Sequence, residues 1–232
     1  LAGRVHTVEI DFEQDMIYCG SSGGNIWKGS ISGEGWVSVN DYMQINNITM
    51  LRLVPNGNIN RLLISGGNKF FYSDNEGFTL NQSSGLNGVE NWGEIYRSVV
   101  TYFDNQTEPT IFVLTKEWSN GSVVRIFRSD DLGENFYQIH STSLISERAY
   151  DIWSDRYNPS DLFFLKNSEL YSLSISTNDL TFLGSVAAQS QGENLLVGGK
   201  EEGSSEYHFY SKIGSRLYFS QSNGYTWIDQ GE

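Results

Sequence analysis

Short runs in which apolar and polar residues alternate recur along the whole chain, separated by polar turns rich in Gly, Asn, Asp and Ser. A period of two places successive side chains on opposite faces, so each run reads as a half-buried β-strand. Residues 7–12 and 16–19 form a first pair of such runs. The pairs 49–54 with 62–65, 98–103 with 111–115, 150–154 with 162–165, and 194–198 with 207–211 follow. After every pair comes a third run carrying an aromatic anchor, at Trp27, Phe71, Phe127, Tyr171 and Tyr218, with spacings of 44, 56, 44 and 47. A polar turn then leads to a large apolar residue nine positions beyond the anchor at Trp36, Leu80, Phe136 and Trp227, or eleven beyond it at Phe182. That turn predicts a hairpin into a fourth strand.

Four short strands per repeat of about 40 to 50 residues is the spacing of a propeller blade, in which small sheets bury both faces against their neighbours. The sequence therefore predicts an all-β β-propeller of five four-stranded blades in a single domain over 1–232, with blades near 3–46, 47–88, 89–146, 147–190 and 191–232. The long interval between Phe71 and Phe127 reads as two surface insertions, 81–93 and 104–109, which are the irregular segments most suited to meeting a ligand. The chain begins on a first strand and ends on a fourth, leaving no strand to join the last blade to the first. Five blades are also fewer than the usual six to eight, so the expectation is a part of a larger propeller or polypeptide.

Charge narrows the partners. With 28 acidic residues against 15 basic ones, the net charge of −13 repels phosphate backbones and anionic lipid, which argues against nucleic acid. No apolar run is long enough to cross a bilayer, so membrane insertion is not expected. The single cysteine, Cys19, excludes an internal disulfide and a multi-cysteine metal site, and its place in a strand reads as small apolar packing. His6, His140 and His208 are scattered without metal-ligand spacing. No metal and no cofactor are expected. The glycine-rich stretches 20–24 and 65–68 read as hairpin turns rather than phosphate cradles.

The turn after the anchor resembles the Asp-box, or BNR, consensus Ser-x-Asp-x-Gly-x-Thr-Trp. Ser129-Asp130-Asp131-Leu132-Gly133-Glu134-Asn135-Phe136 matches it well, Ser220 to Trp227 lacks only the Asp, and Ser73 to Leu80 has Asn75 in the Asp place. The first and fourth units are degenerate, keeping Gly33 and Trp36 in one and a longer turn from Ser172 to Phe182 in the other. A short polar side chain can bond its own turn, Gly supplies positive φ, and the closing aromatic should bury between sheets. The resemblance implies that Ser129, Asp131 and Gly133 are structural and lie away from a central pocket. The alternative, a short Asp-rich Ca²⁺ loop, has too few ligands. The opening Gly3-Arg4-Val5-His6 and the stretch 17–28 resemble first blades of large secreted Bacteroidetes proteins exported by type IX secretion. That likeness implies an extracellular or cell-surface location. Sortilin-like receptors, sialidases and xyloglucanases share the repeat, so it identifies a fold rather than an activity.

Two function classes follow. The favoured one is a non-catalytic binding or scaffold propeller whose partner is a protein or a glycan, possessing further domains in the same polypeptide if the fragment reading holds. The exposed aromatics Trp92, Trp118 and Trp153 are its candidate contacts. The alternative is a glycoside hydrolase of the sialidase or xyloglucanase type. The sialidase Arg-Ile-Pro signature is missing, since no Pro follows Arg4. A paired-carboxylate mechanism would have to draw on groups such as Asp11, Asp151 and Asp155, beside first strands. No catalytic residue is assigned. Asn47, Asn81, Asn105 and Asn120 head Asn-x-Ser/Thr acceptors, which matter only in a eukaryotic source.

Overall fold

Each repeat zips into one sheet because short turns between consecutive runs permit antiparallel pairing of neighbours and little else. The computed structural model describes residues 4–39, 45–102, 108–118, 122–143, 149–155, 161–186, 193–201 and 203–231. The first sheet holds β1 (Val5–Asp11), β2 (Met16–Ser21), β3 (Ile26–Ser30) and β4 (Val37–Ser38). The second holds β5 (Ile48–Asn56), β6 (Ile59–Gly66), β7 (Lys69–Ser73) and β8 (Asn81–Gln82). A single helical turn, α1 (Val89–Trp92), leads into the third, with β9 (Gly93–Thr101), β10 (Thr110–Glu117), β11 (Val123–Ser129) and β12 (Tyr137–Ser143). The fourth holds β13 (Tyr150–Ser154), β14 (Leu162–Lys166), β15 (Glu169–Leu173) and β16 (Leu180–Ser185); the fifth holds β17 (Asn194–Lys200), β18 (Tyr207–Ile213), β19 (Arg216–Ser220) and β20 (Ile228–Gly231). Every sheet is made of four consecutive strands in chain order.

All five anchors sit in the third strand of their sheet, paired with Cys19, Ile64, Val113, Phe164 and Ser211 of the second. The chain divides into two compact units. One, Leu1–Val100 with Thr107–Thr142, carries the first three sheets; the other, Thr101–Gln106 with Ser143–Glu232, carries the last two. In the first unit, Tyr18 of the first sheet packs on Ile48, Leu51 and Leu62 of the second. Leu63 and Phe70 of the second sheet pack on Ile111, Val113 and Phe136 of the third. In the second unit, Phe163 packs on Leu196, Tyr207 and Phe209, with the Phe163 ring 4.8 Å from each of the latter two.

A first strand has an open edge whose N–H groups need acceptors. The adjacent sheet supplies some of them from side chains. Leu51 N donates to Thr7 Oγ1 at 3.3 Å and Leu53 N to Glu9 Oε1 at 3.0 Å. In the second unit Leu196 N donates to Asp151 Oδ2 at 2.8 Å.

The turn between third and fourth strands repeats in atomic detail in three sheets. Ser73, Ser129 and Ser220 are buried, and their hydroxyls accept from Gly77 N (2.8 Å), Gly133 N (3.0 Å) and Gly224 N (3.1 Å). Two residues on, Asn75 Oδ1, Asp131 Oδ1 and Ser222 Oγ accept from the backbone N–H of Thr79, Asn135 and Thr226. The glycines have φ of 89°, 85° and 86°, which a side chain would strain. The closing apolar residue departs from expectation. Phe136 is buried, but Trp36 and Phe182 are exposed and Trp227 is half-buried. In two of the sheets the indole folds back over its own turn, with Trp36 Nε1 donating to Gly33 O at 2.9 Å and Trp227 Nε1 to Gly224 O at 2.8 Å.

Candidate functional site

Two of the three carboxylates that a hydrolytic reading would enlist, Asp11 and Asp151, are engaged by backbone. Asp11 Oδ1 accepts from Glu13 N (3.0 Å) and Gln14 N (3.1 Å), capping the β1–β2 turn. Asp151 accepts from its own neighbour Ile152 N at 2.9 Å as well as from Leu196 N. Both are buried, as is Asp155. The low-dielectric interior makes such charge-assisted bonds to N–H groups strong, so they hold Asp11 Oδ1 and both oxygens of Asp151 in place.

The surface changes character at the insertion before the third sheet. Residues 81–93 are not a free loop throughout. Ser83 donates its hydroxyl to Gly133 O, Ser84 N donates to Glu134 O at 2.9 Å, and Phe136 N returns a bond to Ser84 O at 2.9 Å. Leu86 and Val89 bury into the core of the first unit. The insertion is thus pinned onto the third sheet's own turn, and it holds α1 in place. Trp92, the last residue of α1, is 68 % exposed, and Trp118, just past the end of β10, is 42 % exposed. Trp118 N donates to Trp92 O at 2.9 Å, so the backbones that carry the two indoles are directly joined.

Beneath them the chemistry is polar. Glu117 is almost fully buried, forms an ion pair with Arg125, and lies against α1: a Cβ at Gly88 would come within 2.6 Å of its Oε2. Its other oxygen, Oε1, has no hydrogen-bond partner among the described residues. Lys116 is buried with its ammonium 3.4 Å from the centroid of the Tyr96 ring. Two solvent-facing indoles on a pinned support are suited to stacking on a flat apolar surface.

A concavity of 490 Å³ lies at the opposite end of the strands in this unit, where the β1–β2, β5–β6 and β7–β8 turns meet. Glu13, Gln14, Asn58 and Asn60 line it, with Asp74 held to Arg61 (2.7 Å) and Asn56 (3.0 Å), and Glu76 paired with Lys28. The Arg61 hydrogen bonds hold the Asp74 carboxyl below the usual carboxylate range.

The structure separates the three sequence-chosen tryptophans. It brings Trp92 and Trp118 together and takes Trp153 elsewhere, into the core of the second unit against Phe163, Tyr207 and Phe209 at 5.9, 6.0 and 5.7 Å. The pairing of β13 with β14 sets Trp153 opposite Phe163, which turns it inward. Of the 104–109 loop, residues 104–107 lie outside the described residues, and so does Asn120; Asn47 and Asn81 are exposed. His208 packs edge-on to Phe219 at 6.0 Å, and burial pushes the Cys19 thiol up. Among the described residues no group of three or more His, Cys, Asp and Glu is arranged to hold a metal ion. Among the described residues no helix is long and apolar enough to cross a membrane.

No family model and no curated protein matches the chain. Solved structures do. The chain is similar to the GH74 enzyme of Niastella koreensis, at 16 % identity and a TM-score of 0.65 over 98 % of this chain and 38 % of that one. It is similar to the Dos1 propeller, at 9 % identity and a TM-score of 0.66 over 99 % and 59 %. An extracellular domain from B. thetaiotaomicron matches at 13 % identity and a TM-score of 0.63 over 97 % and 27 %. These likenesses and the five four-stranded antiparallel sheets make the fold a β-propeller.

Proposed function

We propose that this chain is a non-catalytic recognition module of a secreted or cell-surface protein, a propeller of the Asp-box type that binds a protein or glycan partner through Trp92 and Trp118. The observation that carries the reading is the pair of exposed indoles on backbones joined by one hydrogen bond and held by a pinned insertion. Recognition surfaces concentrate their binding energy in such pre-ordered aromatics, because little conformational freedom is lost on binding. The bond pattern at Ser129, Asp131 and Gly133, repeated at Ser73 and Ser220, supports the Asp-box assignment. Likeness to an extracellular domain supports export, and the opening segment's resemblance to type IX cargo supports that route.

The glycoside hydrolase reading rests on the likeness to a GH74 enzyme, and Asp11 and Asp151 are already engaged by backbone N–H groups. One experiment separates the two. The chain is screened on a glycan array and against xyloglucan and sialylated oligosaccharides, with binding and reducing-end release read together. The recognition reading expects binding without release, and a loss of about 2 kcal/mol or more in Trp92→Ala or Trp118→Ala. Turnover, or binding that both alanine variants leave intact, overturns it.

A further inference from the structure

The indole pair stands among polar side chains. Across the insertion and the end of β10, Trp92 and Trp118 are the large apolar residues that face solvent, while Leu86, Val89 and Ile95 are buried. Near them in the chain lie Asn87, Glu90 and Asn91, all exposed, and Glu94, which is half-buried. Glu90 is fixed from two sides, since Gln82 Nε2 donates to its Oε1 at 3.2 Å and Asn68 Nδ2 donates to its backbone oxygen at 2.5 Å. The core of a protein–protein interface is contiguous apolar surface depleted of charge, and two indoles set among carboxylates and amides do not offer one. A pyranose ring matches them better. Its C–H bonds carry a slight positive charge that the negative face of an indole attracts, and its rim of hydroxyls pairs with amides and carboxylates.

The charge near the pair has one sign. From Phe70 to Tyr96 the chain carries Asp74, Glu76, Glu90 and Glu94 and no Lys, Arg or His. Among the described residues neither Glu90 nor Glu94 forms an ion pair. The closest cations are already engaged, with Arg125 paired to Glu117 and the buried Lys116 ammonium 3.4 Å from the centroid of the Tyr96 ring. Lys69, the neighbour of Asn68 in the chain, is one positive charge against two carboxylates. A ligand that brings carboxylates of its own therefore meets Glu90 and Glu94 as like charges.

Building on the recognition reading, we infer that the ligand of Trp92 and Trp118 is an uncharged oligosaccharide, and that Glu90 and Glu94 are the residues that turn acidic sugars away. The hydroxyls of a neutral sugar donate to carboxylate oxygens, which only accept. The carboxylate of a uronic or sialic residue has no proton to donate at neutral pH and is repelled by both glutamates. Two unit charges at the surface of the site amount to about a tenfold preference at low salt, less once salt screens them.

Titration of the whole chain at about 0.01 M salt, followed by tryptophan fluorescence, tests this. The neutral probes are cellohexaose, mannohexaose and chitohexaose, and the acidic ones are hexagalacturonate and sialyllactose. At least one neutral probe should bind. The same probe with its primary hydroxyls oxidised to carboxylates should bind about tenfold more weakly, and in the double variant Glu90→Gln, Glu94→Gln that ratio should narrow to about twofold. Each substitution exchanges one oxygen for an amide nitrogen, and near-UV circular dichroism checks that the fold is kept. Acidic probes that bind as tightly as neutral ones, or neutral probes that all fail, overturn the inference and leave the recognition reading to a different ligand. An oxidised-to-neutral ratio that the double variant does not narrow overturns the role given to the two glutamates. Binding that persists in both Trp92→Ala and Trp118→Ala overturns the recognition reading itself.

Discussion

At the scale of single residues, the β3–β4-type turns show one solution reached with three side chains. Asp131, Asn75 and Ser222 all accept the backbone N–H four residues on, so the turn needs an acceptor of short reach rather than a charge. Burial pushes the Asp131 carboxyl up, but bonds from the backbone and amide of Asn135, the Ser129 hydroxyl and the Glu134 backbone outweigh it and hold the group below the usual range. A depressed folded-state pKa contributes stability above the unfolded value, near 3.9, and loses it as pH falls through the folded value. Asp131→Asn should therefore match the wild type most poorly at neutral pH and converge on it in acid, because Asn cannot lose that contribution. Asp131→Ala, which removes the acceptor, should cost about 1 kcal/mol further at neutral pH. Urea titrations at several pH values check both expectations. Tyr171, whose hydroxyl donates to Glu169 at 2.7 Å, is pushed up to about 12 by burial first and that bond second, so it stays neutral throughout the range tested.

At the scale of elements, the cross-sheet bonds are the feature that the alternation pattern could not reveal. Asp151 is fully buried and its oxygen serves Leu196, 45 residues away. Replacing it with Ala leaves a buried N–H without an acceptor, and the midpoint of urea unfolding should fall by the equivalent of about 1–3 kcal/mol. Asp151→Asn keeps an acceptor oxygen and should recover most of that loss. Strand existence was legible because alternation is local: residues 150–154 were expected and β13 spans Tyr150–Ser154, and all five anchors fall in third strands. The candidate surface was half legible. Trp92 and Trp118 could be named from residue type, but their adjacency depends on α1 meeting the end of β10, a contact between distant segments. Trp153 was misplaced for the same reason, since whether a strand Trp faces a neighbour or water depends on its partner strand. The closing aromatics were expected to bury, and the folding back of Trp36 and Trp227 onto Gly33 and Gly224 is set by indole hydrogen bonding, which period-two patterning does not encode.

At the scale of the whole molecule, net charge bears on which partner the indole pair can take. The chain carries −13, so an acidic partner is repelled before any surfaces meet, and that repulsion weakens as the screening length falls from about 30 Å at 0.01 M salt to about 8 Å at 0.15 M. Stacking on the exposed Trp92 and Trp118 is apolar and does not weaken as salt screens charge. Binding of a neutral glycan should therefore hold steady across that range, and binding of an acidic one should strengthen. Titrations of the whole chain at both ends of the range give the sign directly. Binding that weakens with salt would place opposite charges at the contact, and would move the search for it away from the two indoles toward mixed-charge surfaces such as the turn where Arg61 joins Asp74 and Glu134.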